Sequence, residues 1–157
     1  APERWEKAIQ SVYYGKYILS SVYTRSGAGD RSVTWSVKID EPGYYDIYCY
    51  IGKVGDRVMV RTGRGPGGPG GGGGPQAPPG GGPGGERRAD SPYKDMHYIV
   101  YHDEGRDEIT VDFENAEPGW NNLGRYYLSP DSAKVELTNQ SSGRIVIGDA
   151  VRWVKAE

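Results

Sequence analysis

Apolar and polar positions alternate most regularly in SVTWSVKI, residues 32–39. Val33, Trp35, Val37 and Ile39 take every second place, with Ser32, Thr34, Ser36 and Lys38 between them. A period of two sends the two sets to opposite faces of a β-strand. The segment DEPG at 40–43 carries Pro and Gly in succession and reads as a turn. YYDIYCYI, 44–51, alternates again. Tyr45, Ile47, Cys49 and Ile51 fall on the core side, and Tyr44, Asp46, Tyr48 and Tyr50 on the other. The two runs are expected to form a hairpin. A second hairpin is expected from 96–102 and 108–113 around Asp103-Glu104-Gly105, with Ile109, Val111 and Phe113 as its inward set. Three more strands follow: 120–128, interrupted by Gly124; 134–138, with Val135 and Leu137 on one face; and 144–154. Turns at Glu117-Pro118-Gly119 and at 139–143 separate them.

The remaining segments carry weaker patterns. In residues 5–23 the spacing of Trp5, Ile9 and Val12 suits a turn or two of helix, whereas 13–23 is rich in Tyr and β-branched residues and reads better as strand or extended chain. Val58 and Val60 within 54–62 extend a strand pattern. Residues 63–85 hold 14 Gly and 6 Pro, with only Arg64, Gln76 and Ala77 besides. Such a tract has little to bury and a high ordering cost, so a flexible or polyproline-like surface loop is expected. Its run Gly70–Gly74 breaks any collagen-like triplet. Short strands with turn chemistry between them, and no alternation with long amphipathic helices, predict an all-β fold, an antiparallel β-sandwich of jelly-roll type. A chain of 157 residues is expected to form one such domain, 1–157, with 63–85 as an insertion. The expected core is Trp35, Val37, Ile47, Ile109, Val111, Val135, Leu137, Ile145 and Val151.

Composition sharpens this in a few places. There are 13 Tyr and 4 Trp against a single Phe, and rings with polar tips suit half-buried strands and wet interfaces. The net charge of −2 comes from 19 basic and 21 acidic residues without a basic stripe, which argues against a nucleic-acid partner. One cysteine, Cys49, excludes an internal disulfide and a cysteine-based zinc site. Between Ile47 and Ile51 it reads as a small core hydrophobe. No apolar run is long enough to span a membrane. Ala1 suggests a mature N-terminus or a domain cut from something longer.

Candidate chemistry is sparse. His97 and His102 are five apart, so on one strand they face opposite ways and do not make a joint metal site. His102 stands beside Asp103 and Glu104, a hairpin rim that is commonly just solvated. Asp112 and Glu114 share a face as a potential acid–base pair, although alternating acids usually face solvent. No nucleophile elbow is present, and no catalytic residue is assigned. The aromatics are better candidates, because Tyr and Trp rings stack on the C–H faces of sugars. Tyr44, Tyr48 and Tyr50 share one strand face, and Trp120, Asn121 and Asn122 follow a turn. These six are the candidate ligand-binding residues, with packing as the competing role. Asp149, between Ile147 and Val151, needs partners if buried. Three roles are open: a backbone cap at a bulge by Gly148, which is favoured; an ion pair with Arg152; or a calcium ligand. No run of oxygen ligands supports calcium, and no cofactor is expected. Trp35, Asp149 and Arg152 are assigned structural roles.

The runs YIVYHDEGRDEITVDF, WNNLGRYYLS and KVELTNQSSGRIVIGDAVRWV together resemble the golvesin C-terminal-like domain, found also in bacterial xanthan lyase-related proteins. The matching positions are Tyr98, Val100, His102, Gly105, Trp120, Leu123, Gly124 and Asp149 to Arg152. SVTWSVKIDEPGYYDIYCYI resembles that family's first hairpin through Trp35, Pro42, Gly43 and Tyr44. The resemblance covers roughly 32–155 without the glycine-rich tract, which is longer than the family's connection. It implies a non-catalytic accessory β-sandwich of an exported bacterial protein, periplasmic, cell-surface or extracellular. Such a module would bind carbohydrate or a surface, or dock onto other domains of its parent. A parent resembling a polysaccharide lyase is a further alternative. Because loop closure entropy grows only logarithmically with length, shortening 64–84 to a few residues is expected to leave the melting temperature unchanged or slightly raised. A loss of cooperative melting in calorimetry would refute the tract's status as a dispensable loop.

Overall fold

The computed structural model describes residues 2–16, 19–53 and 91–157. The strand pattern at 54–62 and the tract at 63–85 lie outside them. The described residues form ten strands and no helix: β1 (Glu6–Ile9), β2 (Ser20–Arg25), β3 (Ser32–Ser36), β4 (Gly43–Ile51), β5 (Asp95–His102), β6 (Gly105–Asp112), β7 (Gly119–Leu128), β8 (Lys134–Thr138), β9 (Ile145–Gly148) and β10 (Val151–Lys155). All pairings are antiparallel and make three sheets, in the orders β1-β2-β9, β10-β4-β7 and β3-β8-β5-β6. Each sheet combines strands from before and after residues 54–90. The all-β sandwich expected from the alternation is thus present, and the helical reading of Trp5, Ile9 and Val12 is replaced by β1 and the chain leading into β2.

The buried faces meet in one cluster. Ile47 and Cys49 of β4, Val100 of β5, Leu128 of β7, Val135 and Leu137 of β8, and Val146 of β9 are wholly buried, and Met96 of β5 nearly so. The β5–β6 hairpin forms as expected, with Asp103 and Glu104 as its turn and His102 paired to Gly105. Burial raises the Cys49 thiol to about 11, as fits an inert core residue. The β4–β7 ladder contains a bulge. Ile47 faces Gly124 and Tyr48 faces Asn122, so Leu123 is the extra residue and is buried. Gly124 holds φ 131° there, a conformation open to glycine at little cost.

Two strand assignments need correction. The runs 32–39 and 44–51 do not pair: β3 lies on β8, while β4 lies between β10 and β7 in another sheet. The reason is Ile39, which is 4% exposed although it lies outside any strand. Burying it carries the chain across from one sheet to the next. The crossing is held by the Val37 amide donating to the Ala133 carbonyl at 3.2 Å and the Tyr45 hydroxyl donating to the Glu41 carbonyl at 2.7 Å. Val37, expected in the core, is 41% exposed as a result. The run 144–154 is likewise two strands in two sheets, broken at Asp149-Ala150. Val146, Ile147 and Gly148 are buried in succession, which breaks the period of two. A side chain at Gly148 would lie 2.7 Å from the Trp35 ring and 2.9 Å from Leu137, so β9 packs tightly against β3 and β8 there.

Polar clamps fix the loops. Asn139 is 1% exposed. Its carbonyl accepts from the amides of Gly29 (3.0 Å) and Arg31 (3.2 Å), and its amide donates to Asp30 (3.0 Å). A buried polar group must be bonded in this way to be tolerated. Asp95 similarly accepts from the Ser141 hydroxyl at 3.0 Å and from the Ser142 amide at 2.8 Å.

Trp35 and Val37 belong to one alternating run but differ in burial, which makes them a paired test. Trp35→Ala removes the ring that meets Gly148 and is expected to cost about 3 kcal/mol. Val37→Ala should stay within about 0.5 kcal/mol. Chemical denaturation of both variants checks this, and equal losses would refute the packing.

Candidate functional site

The outward face of the β10-β4-β7 sheet concentrates the aromatic side chains that the core does not use. Register sets its rows. Tyr44 stands opposite Tyr127, Asp46 between Arg125 and Val154, Tyr48 between Asn122 and Arg152, and Tyr50 opposite Trp120. Directly paired residues share a face, so these side chains form one continuous stripe. Tyr44 to Tyr50 spans three same-face steps, about 20 Å.

The rings meet in two groups. At one end Tyr44 and Tyr127 pack edge to face at 5.3 Å, and both are well exposed. At the other, Tyr50 and Trp120 meet at 5.2 Å, and Tyr14 from the N-terminal segment closes the triangle at 5.3 Å from Tyr50 and 4.9 Å from Trp120. Tyr14 is 52% exposed and so adds a ring to the face while covering only the Tyr50 end. Between the groups lie two arginines in different states. Arg125 forms a bidentate pair with Asp46, both bonds 2.8 Å, which holds the Asp46 carboxyl below the usual range. Arg152 places its guanidinium 4.4 Å from the Trp120 ring centre and 4.9 Å from that of Tyr48.

Of the six candidate ligand residues, Tyr44, Tyr48, Tyr50, Trp120 and Asn122 lie on this face. Asn121 stands opposite Cys49, on the other side of the strand. Its amide donates to the carbonyls of Glu117 and Gly119 and secures the turn before β7. Asn122 accepts from the Gly124 amide at 2.6 Å and is exposed. Sequence reasoning passed over Tyr14, Tyr127 and the outward placement of Arg152. Parity along VRWVK does set Arg152 apart from Val151. Its partner strand, however, lies a hundred residues earlier in the chain and is not readable from local pattern.

Asp149 sits where β9 gives way to β10. Both of its carboxylate oxygens lie 3.1 Å from the Tyr14 amide, which donates to them. The bond ties the N-terminal segment to the sheet crossing and sets Tyr14 against its ring neighbours. The Arg152 side chain turns instead to the two rings. Among the described residues no group of three or more His, Cys, Asp or Glu is placed to hold a metal.

The other candidates are engaged locally. His97 bridges Thr138 (2.8 Å) and Glu108 (3.1 Å). His102 faces the other way, stacks on Tyr126 at 4.8 Å and lies 3.5 Å from Asp107. Asp103 accepts from the Ser129 amide and hydroxyl. Asp112 accepts from the Asn115 amide and side chain at 3.1 and 2.7 Å.

With these strands in place, the second half of the chain meets a known pattern. Residues 87–155 match the model of the Golvesin C-terminal domain. The golvesin-type segment therefore carries β5 to β10, including Trp120, Asn122 and Arg152, while Tyr14, Tyr44, Tyr48 and Tyr50 come from strands and loops before it. A solved xanthan lyase from Paenibacillus superposes on 98% of this chain with a TM-score of 0.65 at 18% identity. The likeness is one of fold, and the chain spans 11% of that lyase's length. No curated protein matches the chain.

Burial raises the Asp149 carboxyl from 3.8 to about 6, against the opposing effect of the Tyr14 amide. A folded-state value above the unfolded one means that its contribution to stability is fully present below about pH 4 and is lost as pH rises through about 6. The wild-type melting temperature is therefore expected to fall relative to that of Asp149→Asn between pH 4 and 6.5. Parallel pH dependence in thermal melts of the two proteins would overturn this.

Proposed function

We propose that this chain is a non-catalytic accessory module of an exported bacterial protein, and that it binds carbohydrate through the outward face of the β10-β4-β7 sheet. The observation that carries the reading is the stripe of exposed and half-exposed rings on one face, in two groups, Tyr44 and Tyr127 at one end and Tyr14, Tyr50 and Trp120 at the other. Flat apolar rings with polar edges suit pyranose C–H faces. Successive same-face positions about 7 Å apart let neighbouring rings meet neighbouring parts of a sugar chain. Each stack contributes modestly, so affinity depends on several rings together.

Further support comes from the match of 87–155 to the Golvesin C-terminal domain and from the fold shared with a segment of a xanthan lyase. Both suit one module, 1–157, within a larger polysaccharide-related parent, a lyase-like protein among the alternatives. The non-catalytic part of the proposal is supported by the two histidines, which face opposite ways and are engaged by local partners. Docking onto another domain of the parent is the second reading. It draws on the fact that the chain covers 11% of the lyase it superposes on, so a module of this kind has neighbours, and an aromatic face also suits a protein interface.

Titrating the full chain against a panel of neutral and acidic polysaccharides tests the first reading. Binding that weakens at least about tenfold in Tyr48→Ala and Trp120→Ala, with both variants still folded, is the expected result. Binding indifferent to both substitutions would exclude this face and leave docking ahead.

A further inference from the structure

Arg152 and Arg125 stand on the same sheet face but have different surroundings, and the difference bears on what the face recognises. Arg125 is saturated by Asp46, with two bonds of 2.8 Å. Among the described residues no carboxylate lies within ion-pair distance of Arg152. Its guanidinium rests on Trp120 at 4.4 Å and on Tyr48 at 4.9 Å. Stacking uses the flat face of a guanidinium and leaves its in-plane N–H groups available, a fork that matches a carboxylate in two parallel bonds. On the other side of Tyr48 stands Asn122, exposed, with its side-chain carbonyl taken by the Gly124 amide at 2.6 Å. Its NH₂ group is left as a donor. The middle of the stripe thus offers donors beside rings, while Asp46, in the next row of the same face, is already paired with Arg125.

Resting on the reading that this face binds glycan, we infer that it selects sugars bearing a carboxylate, as in a uronic acid. The carboxylate sits on the Arg152 fork while an adjoining sugar ring packs against the neighbouring group of Tyr14, Tyr50 and Trp120. The rings hold the guanidinium in place before the ligand arrives, which lowers the ordering cost of the contact. Among the described strand residues Asp46 is the acid in the outward rows of this face, and its pairing with Arg125 offsets the charge that would repel such a ligand.

The test compares polygalacturonate with its fully methyl-esterified form, which has the same backbone without the charge. Dextran serves as a neutral glucan. The full chain is expected to bind polygalacturonate about tenfold tighter than the ester, the scale of one charge-assisted contact, with a preference that shrinks as salt rises. Arg152→Gln should erase the preference, weakening binding to polygalacturonate more than binding to the ester. Arg152→Lys, which keeps the charge but loses the fork, should retain only part of it. Equal affinity for acid and ester, or a preference that survives in Arg152→Gln, overturns the inference while binding itself leaves the glycan reading standing. Absence of binding to polygalacturonate, ester and dextran alike overturns both.

Discussion

The close approach of β9 to β3 and β8 at Gly148 constrains much of the rest. No side chain fits between the backbone at Gly148, the last residue of β9, and the Trp35 ring. The chain leaves at Asp149-Ala150 and enters the next sheet as β10. That crossing has two results at once. It brings the Asp149 carboxylate to the Tyr14 amide, and it sets the register in which Arg152 stands opposite Tyr48. The aromatic stripe is therefore assembled from packing on the far side of the same crossing. A glycine in the core and an arginine on the surface are two ends of one short piece of chain.

The cost of this arrangement is visible in Asp149. A carboxylate moved partly out of water loses hydration, and a single backbone amide restores only some of it. The group is accordingly pushed up to about 6. The other loop-fixing side chains avoid that cost. Asn139 is neutral and bonded on both sides. Asp95 has hydroxyl and amide donors from Ser141 and Ser142, and its carboxyl stays below the usual range despite some burial. Asp149 alone combines burial with few donors. The gain on the other side of the balance is a tied N-terminal segment, whose Tyr14 completes a three-ring group.

Local pattern made the strands legible because one residue suffices to shift the face of the next. The alternation at 32–36 and 44–51, the β5–β6 hairpin and the buried pair Val135 and Leu137 all follow from it. Pairing was harder. Asp40 to Gly43 has the residues of a tight hairpin, yet the burial of Ile39 sends the chain between sheets. No composition rule signals that a turn-like segment crosses layers. The same limit hid the site. Tyr48 and Tyr50 were visible as a same-face pair, but their neighbours arrive from elsewhere in the chain, Arg152 and Trp120 from distant strands and Tyr14 from the segment between β1 and β2. The parity of each was readable and their adjacency was not. Asn121 illustrates the reverse: it is next to a site residue in sequence but on the opposite side of the strand.

Each of the three sheets is closed by a strand pair whose members lie on either side of residues 54–90. β2 joins β9, β3 joins β8, and β4 lies between β7 and β10. The two portions of the chain thus interleave, and β4 lies between β7 and β10, both of which belong to the segment that matches the Golvesin C-terminal domain. The aromatic face depends on both portions, because Tyr14, Tyr44, Tyr48 and Tyr50 precede residues 54–90 while Trp120, Tyr127 and Arg152 follow them.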